Sequence, residues 1–154
     1  FSHCTLANYS AMHQAPSIRM SNYYEDVNGN EQSRPMERAD FENCIIYGKI
    51  ESEIGIEESE NTTFNYKFNN CLIKLKESDY DISNTTHFSN NIFNENPEFI
   101  QTMDFFNYNY ELDTLSAAQN SAASNIALQF EYDLNGNYRF TDGSPDIGAY
   151  ERIE

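Results

Sequence analysis
The chain has 154 residues, which is room for one domain whose core needs no covalent staples. It carries 25 acidic against 9 basic residues, a formal net charge of −16, and such a chain repels phosphate backbones and anionic membrane surfaces. No apolar run approaches the ~20 residues of a membrane-spanning helix, so neither nucleic-acid binding nor membrane insertion is expected.

Apolar content is modest at 39%, and the bulk comes from 11 Phe and 11 Tyr, with no Trp. Asn is abundant, with 20 residues, whereas Gly is present 6 times and Pro 4 times. Asn enters the left-handed backbone region more readily than most residues, so a chain with many sharp corners and few glycines recruits it. The opening Phe1-Ser2-His3-Cys4 has no initiator Met and no charged-then-apolar leader, and the chain is therefore expected to be a piece of a longer protein.

One pattern recurs: Phe1-Ser2-His3-Cys4-Thr5-Leu6, Phe41-Glu42-Asn43-Cys44-Ile45-Ile46, Phe68-Asn69-Asn70-Cys71-Leu72-Ile73 and Phe88-Ser89-Asn90-Asn91-Ile92-Phe93. Strict strand alternation would put the first and sixth places on opposite faces. Both face inward if the chain kinks at the third place, where His3, Asn43, Asn70 and Asn90 stand. Each copy thus reads as strand, one-residue corner, strand. Stacked about 4.8 Å apart, such copies describe an all-β chain folded as a parallel β-helix. Its columns would be Phe, a corner Asn, an aliphatic and the buried file Cys4, Cys44 and Cys71. An antiparallel sandwich is the competing all-β arrangement, and the Ala-rich residues 117 to 128 suit a helical turn.

Between the copies lie insertions. Residues 17–38 contain Tyr23-Tyr24 and the Asn28-Gly29 turn signal, and read as a hairpin-like outgrowth. The Glu-rich residues 51–61 read as a solvated acidic loop. Residues 1–95 would then be rungs with these insertions. Residues 96–154 would be a last turn and cap, continuous with the rungs in one domain. Phe99, Leu112, Leu115, Ile147 and Tyr150 are the expected covers of the final rung. The opposite end, beginning at Phe1, is expected to be open and to self-associate or receive further rungs.

From Asn96 onward the chain resembles a known ending. Asn96-Pro97-Glu98-Phe99-Ile100, Tyr110-Glu111-Leu112, Asp133-Leu134-Asn135-Gly136-Asn137-Tyr138-Arg139 and Pro145-Asp146-Ile147-Gly148-Ala149-Tyr150-Glu151 are similar to the C-terminal end of secreted bacterial β-helix proteins of the choice-of-anchor Q domain type. Ile45-Ile46-Tyr47-Gly48 fits the same family. Ser116 to Ala122 departs from it by lacking a Pro and a Gly, and Tyr138 stands for a usual Pro. The resemblance implies a right-handed, single-stranded parallel β-helix of pectate-lyase-like architecture. It also implies an extracellular or bacterial cell-surface location and a structural, carbohydrate-facing role without catalysis in this stretch. The alternative is a fragment of a polysaccharide lyase or glycoside hydrolase whose groove lies mainly upstream.

The candidate site residues are few. Tyr23 and Tyr24, with Tyr108, Tyr110, Tyr132 and Tyr138, offer rings for stacking on sugars. Lys74 and Lys76 alternate with Ile73 and Leu75 and form a same-side basic pair, a possible complement to a uronate carboxylate or simply a solvated strand face. The family resemblance implies a polysaccharide as the partner. Three cysteines without a C-x-x-C spacing or a His cluster read as core packing rather than a metal centre. The segment starting at Asp133 and its echo at Asp26-Val27-Asn28-Gly29-Asn30 match the first ligand positions of a calcium loop. Gly falls fourth rather than sixth, however, which favours Asn-Gly turns. No cofactor is expected, with calcium the alternative. His3 and His87 fall at rung positions and His13 in the first insertion, with no catalytic constellation around them.

Overall fold
A computed structural model describes residues 1–10, 12 and 14–153. Strands β1 (Thr5–Asn8) and β2 (Ile18–Ser21) are followed by the short β3 (Tyr23–Glu25) and β4 (Glu31–Ser33), then by β5 (Met36–Glu42) and β6 (Ile45–Gly48). Next come β7 (Ile54–Glu57), β8 (Phe64–Asn69) and β9 (Leu72–Ile73), and after a 3₁₀ turn at Glu77–Asp79, β10 (Phe88–Ser89) and β11 (Ile92–Phe93). An antiparallel pair, β12 (Phe99–Gln101) and β13 (Asn109–Leu112), precedes a single helical turn, α1 (Ser124–Ala127), within the Ala-rich residues. The chain is all-β apart from these two turns.

Three parallel sheets enclose one apolar interior. Their strand orders are β1-β6-β9-β11, β5-β8-β10 and β2-β7. The registers follow the sequence copies, with Thr5, Ile45, Leu72 and Ile92 in one ladder and Phe41, Phe68 and Phe88 in another. His3, Asn43, Asn70 and Asn90 all have φ between 50° and 54°. These left-handed corners turn the chain so that both flanking strands send alternate side chains into the same core. Phe41, Phe68, Phe88, Ile46, Ile73, Cys44 and Cys71 are buried together there. The phenyl rings form a continuous stack, with centroids 5.0 Å apart for Phe1–Phe41, 4.8 Å for Phe41–Phe68 and 5.6 Å for Phe68–Phe88.

The slot after each corner has a second duty. The Cys44 amide donates to the Cys71 Sγ at 3.4 Å, and the Cys71 amide donates to Asn91 Oδ1 at 2.8 Å. Each amide is therefore satisfied by the residue in the same slot one layer on. Cys and Asn both present an acceptor at this reach, which accounts for their interchange in the repeat. An orphaned buried amide there would cost about 1–3 kcal/mol.

The insertions differ from the sequence expectation. The antiparallel hairpin is confined to β3 and β4. Ile18–Ser21, assigned to the outgrowth from sequence, is instead a parallel partner of Ile54–Glu57, and Met36–Glu42 belongs to a core sheet. Ile18, Met20 and Ile54 alternate inward and are buried, so burial of this third face overrides the turn signal. For the same reason residues 51–61 are not simply a solvated loop. Glu53 is fully buried: Ser17 Oγ, the Ser17 amide and Asn8 Nδ2 donate to one carboxylate oxygen at 2.8, 3.1 and 3.1 Å. The Ile50 amide donates to the other at 3.3 Å. Gly48 makes room for it, since a Cβ there would lie 2.2 Å from Glu53 Oε1.

The C-terminal residues also sit elsewhere than expected. They lie along the outer flank of the β1-β6-β9-β11 sheet, not across the last rung. Ile45 and Leu72 point out of that sheet and are buried against Leu112, Ala118 and Ile147 in a second core. Both faces of the sheet are therefore covered, which is why adjacent Ile45-Ile46 and Leu72-Ile73 are all apolar. The far end of the first core is closed by the connection after β9, where Leu75, Tyr80 and Ile82 pack toward Phe88. Of the proposed covers, Ile147 and Leu112 are buried, whereas Leu115 is 90% exposed and covers nothing.

Asn43 is the stitch between flank and stack. Its Oδ1 accepts the Ala123 amide at 2.8 Å, and its Nδ2 donates to the Ala123 carbonyl at 3.1 Å and to His3 Nε2 at 2.9 Å. Asn43→Gly keeps the backbone freedom but loses these bonds. It should cost on the order of 3 kcal/mol by urea denaturation, against a near-neutral result for Asn90→Gly at the exposed fourth corner.

Candidate functional site
The stitched flank creates a polar centre beside the first corner. Asp133, Arg139, Asp146 and Glu151 are all buried, together with His3. Asp133 organises the turn from which Arg139 projects: its Oδ1 accepts the Asn135 and Asn137 amides at 2.9 and 2.7 Å, and its Oδ2 accepts the Glu151 amide at 2.8 Å. Asp146 accepts the Asn120 amide at 2.6 Å and the Arg152 amide at 2.8 Å. Gly148, at φ 106°, brings the chain against the sheet, and a Cβ there would lie 2.8 Å from Ile45 Cδ1. Its amide donates to the Asn43 carbonyl at 2.9 Å, and the Ala149 amide to Thr5 Oγ1 at 3.0 Å.

Arg139 Nη1 lies 3.7 Å from Glu151 Oε2, and Nη2 donates to the Ala149 carbonyl at 3.3 Å. Glu151 Oε2 also accepts the Asp146 amide at 3.0 Å. Among the described residues, Arg139 Nε and Nη1, Glu151 Oε1 and His3 Nδ1 have no hydrogen-bond partner. Because Asn43 Nδ2 donates to His3 Nε2, the neutral imidazole carries its proton on Nδ1, adding one more donor without a partner. His3, Asp133 and Arg139 of this centre line a cleft of about 470 Å³ with Phe130, Tyr132 and Leu134 at its rim. It combines apolar walls with both donors and acceptors beneath, the composition of a site for small polar ligands.

Burial dominates the local titration. It lowers the His3 pKa to about 4, with the Arg139 charge acting in the same direction. It raises the Glu151 carboxyl to about 8 and Asp146 above its usual range, and it lowers Arg139.

The residues singled out from sequence do not converge. Tyr23 and Tyr24 belong to the β3–β4 hairpin, where the Arg34 guanidinium lies 4.6 Å over the Tyr24 ring and donates to its hydroxyl at 2.9 Å. Lys74 Nζ donates to the Gly48 carbonyl at 2.7 Å and sits 5.2 Å over the Tyr47 ring, while Lys76 pairs with Glu51 at 3.8 Å. The lysines are thus engaged by the protein itself, and the two pairs do not share a site. Tyr132 is the sugar-stacking candidate that reaches the cleft rim. Cys4, Cys44 and Cys71 are free thiols, and the neighbouring Cys44 thiol, followed by burial, pushes Cys4 well above the ordinary thiol range. Asp26 and Asp133 both spend their oxygens on turn amides, and no group of three or more His, Cys, Asp or Glu is placed to hold a metal among the described residues. His13 lies outside the described residues. Arg139 and Glu151 were missed as functional candidates, although Arg139 was visible as a cation within an acidic ending.

Stability should carry the mark of this centre. Between pH 4.5 and 8 the folded chain holds the Glu151 proton that the unfolded chain releases, so stability falls as pH rises through that window. His3 acts oppositely between pH 4 and 6.5, where the unfolded chain binds the extra proton. The two slopes oppose each other up to about 6.5, and above it that of Glu151 remains. The thermal midpoint should therefore fall from pH 6.5 to 8, and Glu151→Gln should flatten that fall in a calorimetric pH series. Comparison of the chain with protein families, curated proteins and solved structures returns no match.

Proposed function
We propose that this chain is a right-handed parallel β-helix module of the choice-of-anchor Q type, serving as a non-catalytic, carbohydrate-facing scaffold at the outside of a bacterial cell. The observation that carries the reading is the single register that runs through four sequence copies, each bent at a left-handed His or Asn. Crossovers between parallel strands are almost always right-handed, which supports the handedness. Burial of both faces of the β1-β6-β9-β11 sheet suits a rigid support. Among the described residues no helix is long and apolar enough to cross a membrane. The cleft above His3 and Arg139 supplies the carbohydrate side of the proposal: the Tyr132 and Phe130 rings suit the C–H face of a pyranose, and the mixed floor suits its hydroxyls. A titration with neutral oligosaccharides, followed by amide chemical shifts, tests it. Tyr132→Ala, at a position 63% exposed, should leave the fold intact and weaken binding by about tenfold. Failure of every neutral glycan to move the His3 corner would remove the carbohydrate role and leave the scaffold.

The same reading assigns a use to the Phe1 end. β1 and β2 are the outermost strands of their sheets there, and the Phe1 ring is 70% exposed on top of its column. A cleft of about 350 Å³ between Leu6, Ile18, Met20 and Met36 opens beside it. Free strand edges next to apolar surface are a template for another layer. Sedimentation velocity should show concentration-dependent association that Phe1→Lys suppresses. A single monomeric species at millimolar concentration would count against this use.

A further inference from the structure
The opposite end of the stack carries a second cleft, of about 310 Å³, between the β7 end and the connection after β9. Its walls are aromatic. The Tyr66 and His87 rings are stacked at 4.0 Å and 12°, Phe88 meets Tyr66 edge-on at 6.5 Å, and Tyr80 meets Phe88 edge-on at 6.4 Å. Glu58, Asp79 and Asp81 stand at its mouth, and no Lys or Arg lines it.

The charge in the lining is one-sided, and the hydrogen-bonding inventory leans to acceptors. The Tyr80 hydroxyl spends its proton on the Ile54 carbonyl at 2.7 Å. His87 Nδ1 donates to the Tyr66 carbonyl at 2.9 Å, so in the neutral ring Nε2 is an acceptor. Ser78 Oγ reaches one Asp79 oxygen at 2.9 Å, and Ser83 Oγ one Asp81 oxygen at 2.6 Å, which occupies one oxygen of each carboxylate. The cleft is thus rich in carboxylate acceptors and aromatic rings, with the Asn84 side-chain amide and the Tyr66 hydroxyl as its side-chain donors. Burial, followed by the nearby Glu58 charge, pushes the Tyr66 phenol up to about 12, which keeps it neutral. A ligand matched to these walls brings several donors, positive charge and an apolar body for the rings.

We propose that this cleft binds the primary ammonium group of a small organic amine. A sugar is refused or accepted here by its amino group, so this inference stands whether or not the scaffold and its other cleft bind neutral glycans. Two sources carry that chemistry, an amino sugar and an alkyl side chain ending in ammonium, and the test separates them. The full chain is titrated with glucosamine and with butylamine, against glucose and butanol as uncharged counterparts, following the amides of Tyr66, Asp79 and His87. The amines should move these amides at concentrations at which the alcohol and glucose do not. Response to glucosamine alone assigns an amino sugar, and an equal or stronger response to butylamine assigns the alkyl source. No response to either amine, or an equal response to the uncharged compounds, overturns the proposal. Asp79→Asn combined with Asp81→Asn, both at exposed positions, should weaken the response by about tenfold. Glu25→Gln on the β3–β4 hairpin, which lines no part of the cleft, should leave it unchanged. An equal loss with Glu25→Gln would reveal only the attraction of a chain with net charge −16, and would likewise overturn the proposal.

Discussion
The left-handed corner is the constraint on which the rest of the structure depends. Without it, Phe and the aliphatic residue five places on would point to opposite sides of one strand. With it, two strands close on one interior and the ring column, thiol file and aliphatic column all follow. An ordinary side chain in this region pays roughly 1–2 kcal/mol. Asn reduces that cost, and at Asn43 its amide group is also put to use. Because all four corners share nearly one φ, the layers superpose and the amide of one slot finds its acceptor in the next.

The C-terminal residues complete what the corners leave unfinished. A strand with apolar residues on both faces cannot be satisfied by one core, and Ile45 and Leu72 would lie in water if the stack stood alone. Covering them with Ile147, Leu112 and Ala118 removes about 1.5–3 kcal/mol of exposed apolar surface per large side chain. It also brings residues 118–151 against Thr5 and Asn43, more than a hundred positions away in the case of Thr5–Ala149. That covering has an electrostatic consequence. It takes one guanidinium and three carboxyl groups out of water, so burial governs how Glu151 and His3 titrate.

The two clefts are consequences of the stack's construction. One lies where the flank meets the first corner and holds donors and acceptors beneath an apolar rim. The other lies where the stack is closed by Tyr80 and Phe88 and sets three carboxylates beside aromatic rings, with no Lys or Arg in its lining. Their linings differ in charge: Arg139 and His3 stand in the first, and the second has carboxylates without Lys or Arg. Neither requires Lys74, Lys76 or Tyr24, since those are already engaged by Gly48, Tyr47, Glu51 and Arg34.

The sequence by itself determined the four corners, their order, the Cys file (buried at Cys44 and Cys71, half-buried at Cys4) and the all-β character, because these are set by local backbone preference and by a repeat spacing that can be read directly. It also marked the Asn-Gly turns at Asn28 and Asn135. The third parallel face was hidden: Ile18–Ser21 and Ile54–Glu57 are four-residue strands without a shared motif, and only pairing across 36 residues shows that they belong together. Glu53 looked like one more solvated acid, because the donors that bury it come from Asn8, Ser17 and Ile50. The polar centre and both clefts were likewise decided by tertiary structure alone. Their groups are brought together by the covering of an apolar flank and by the closing of an apolar end, and a hydrophobic driving force without direction leaves no spacing in the sequence to announce which polar groups it will carry with it.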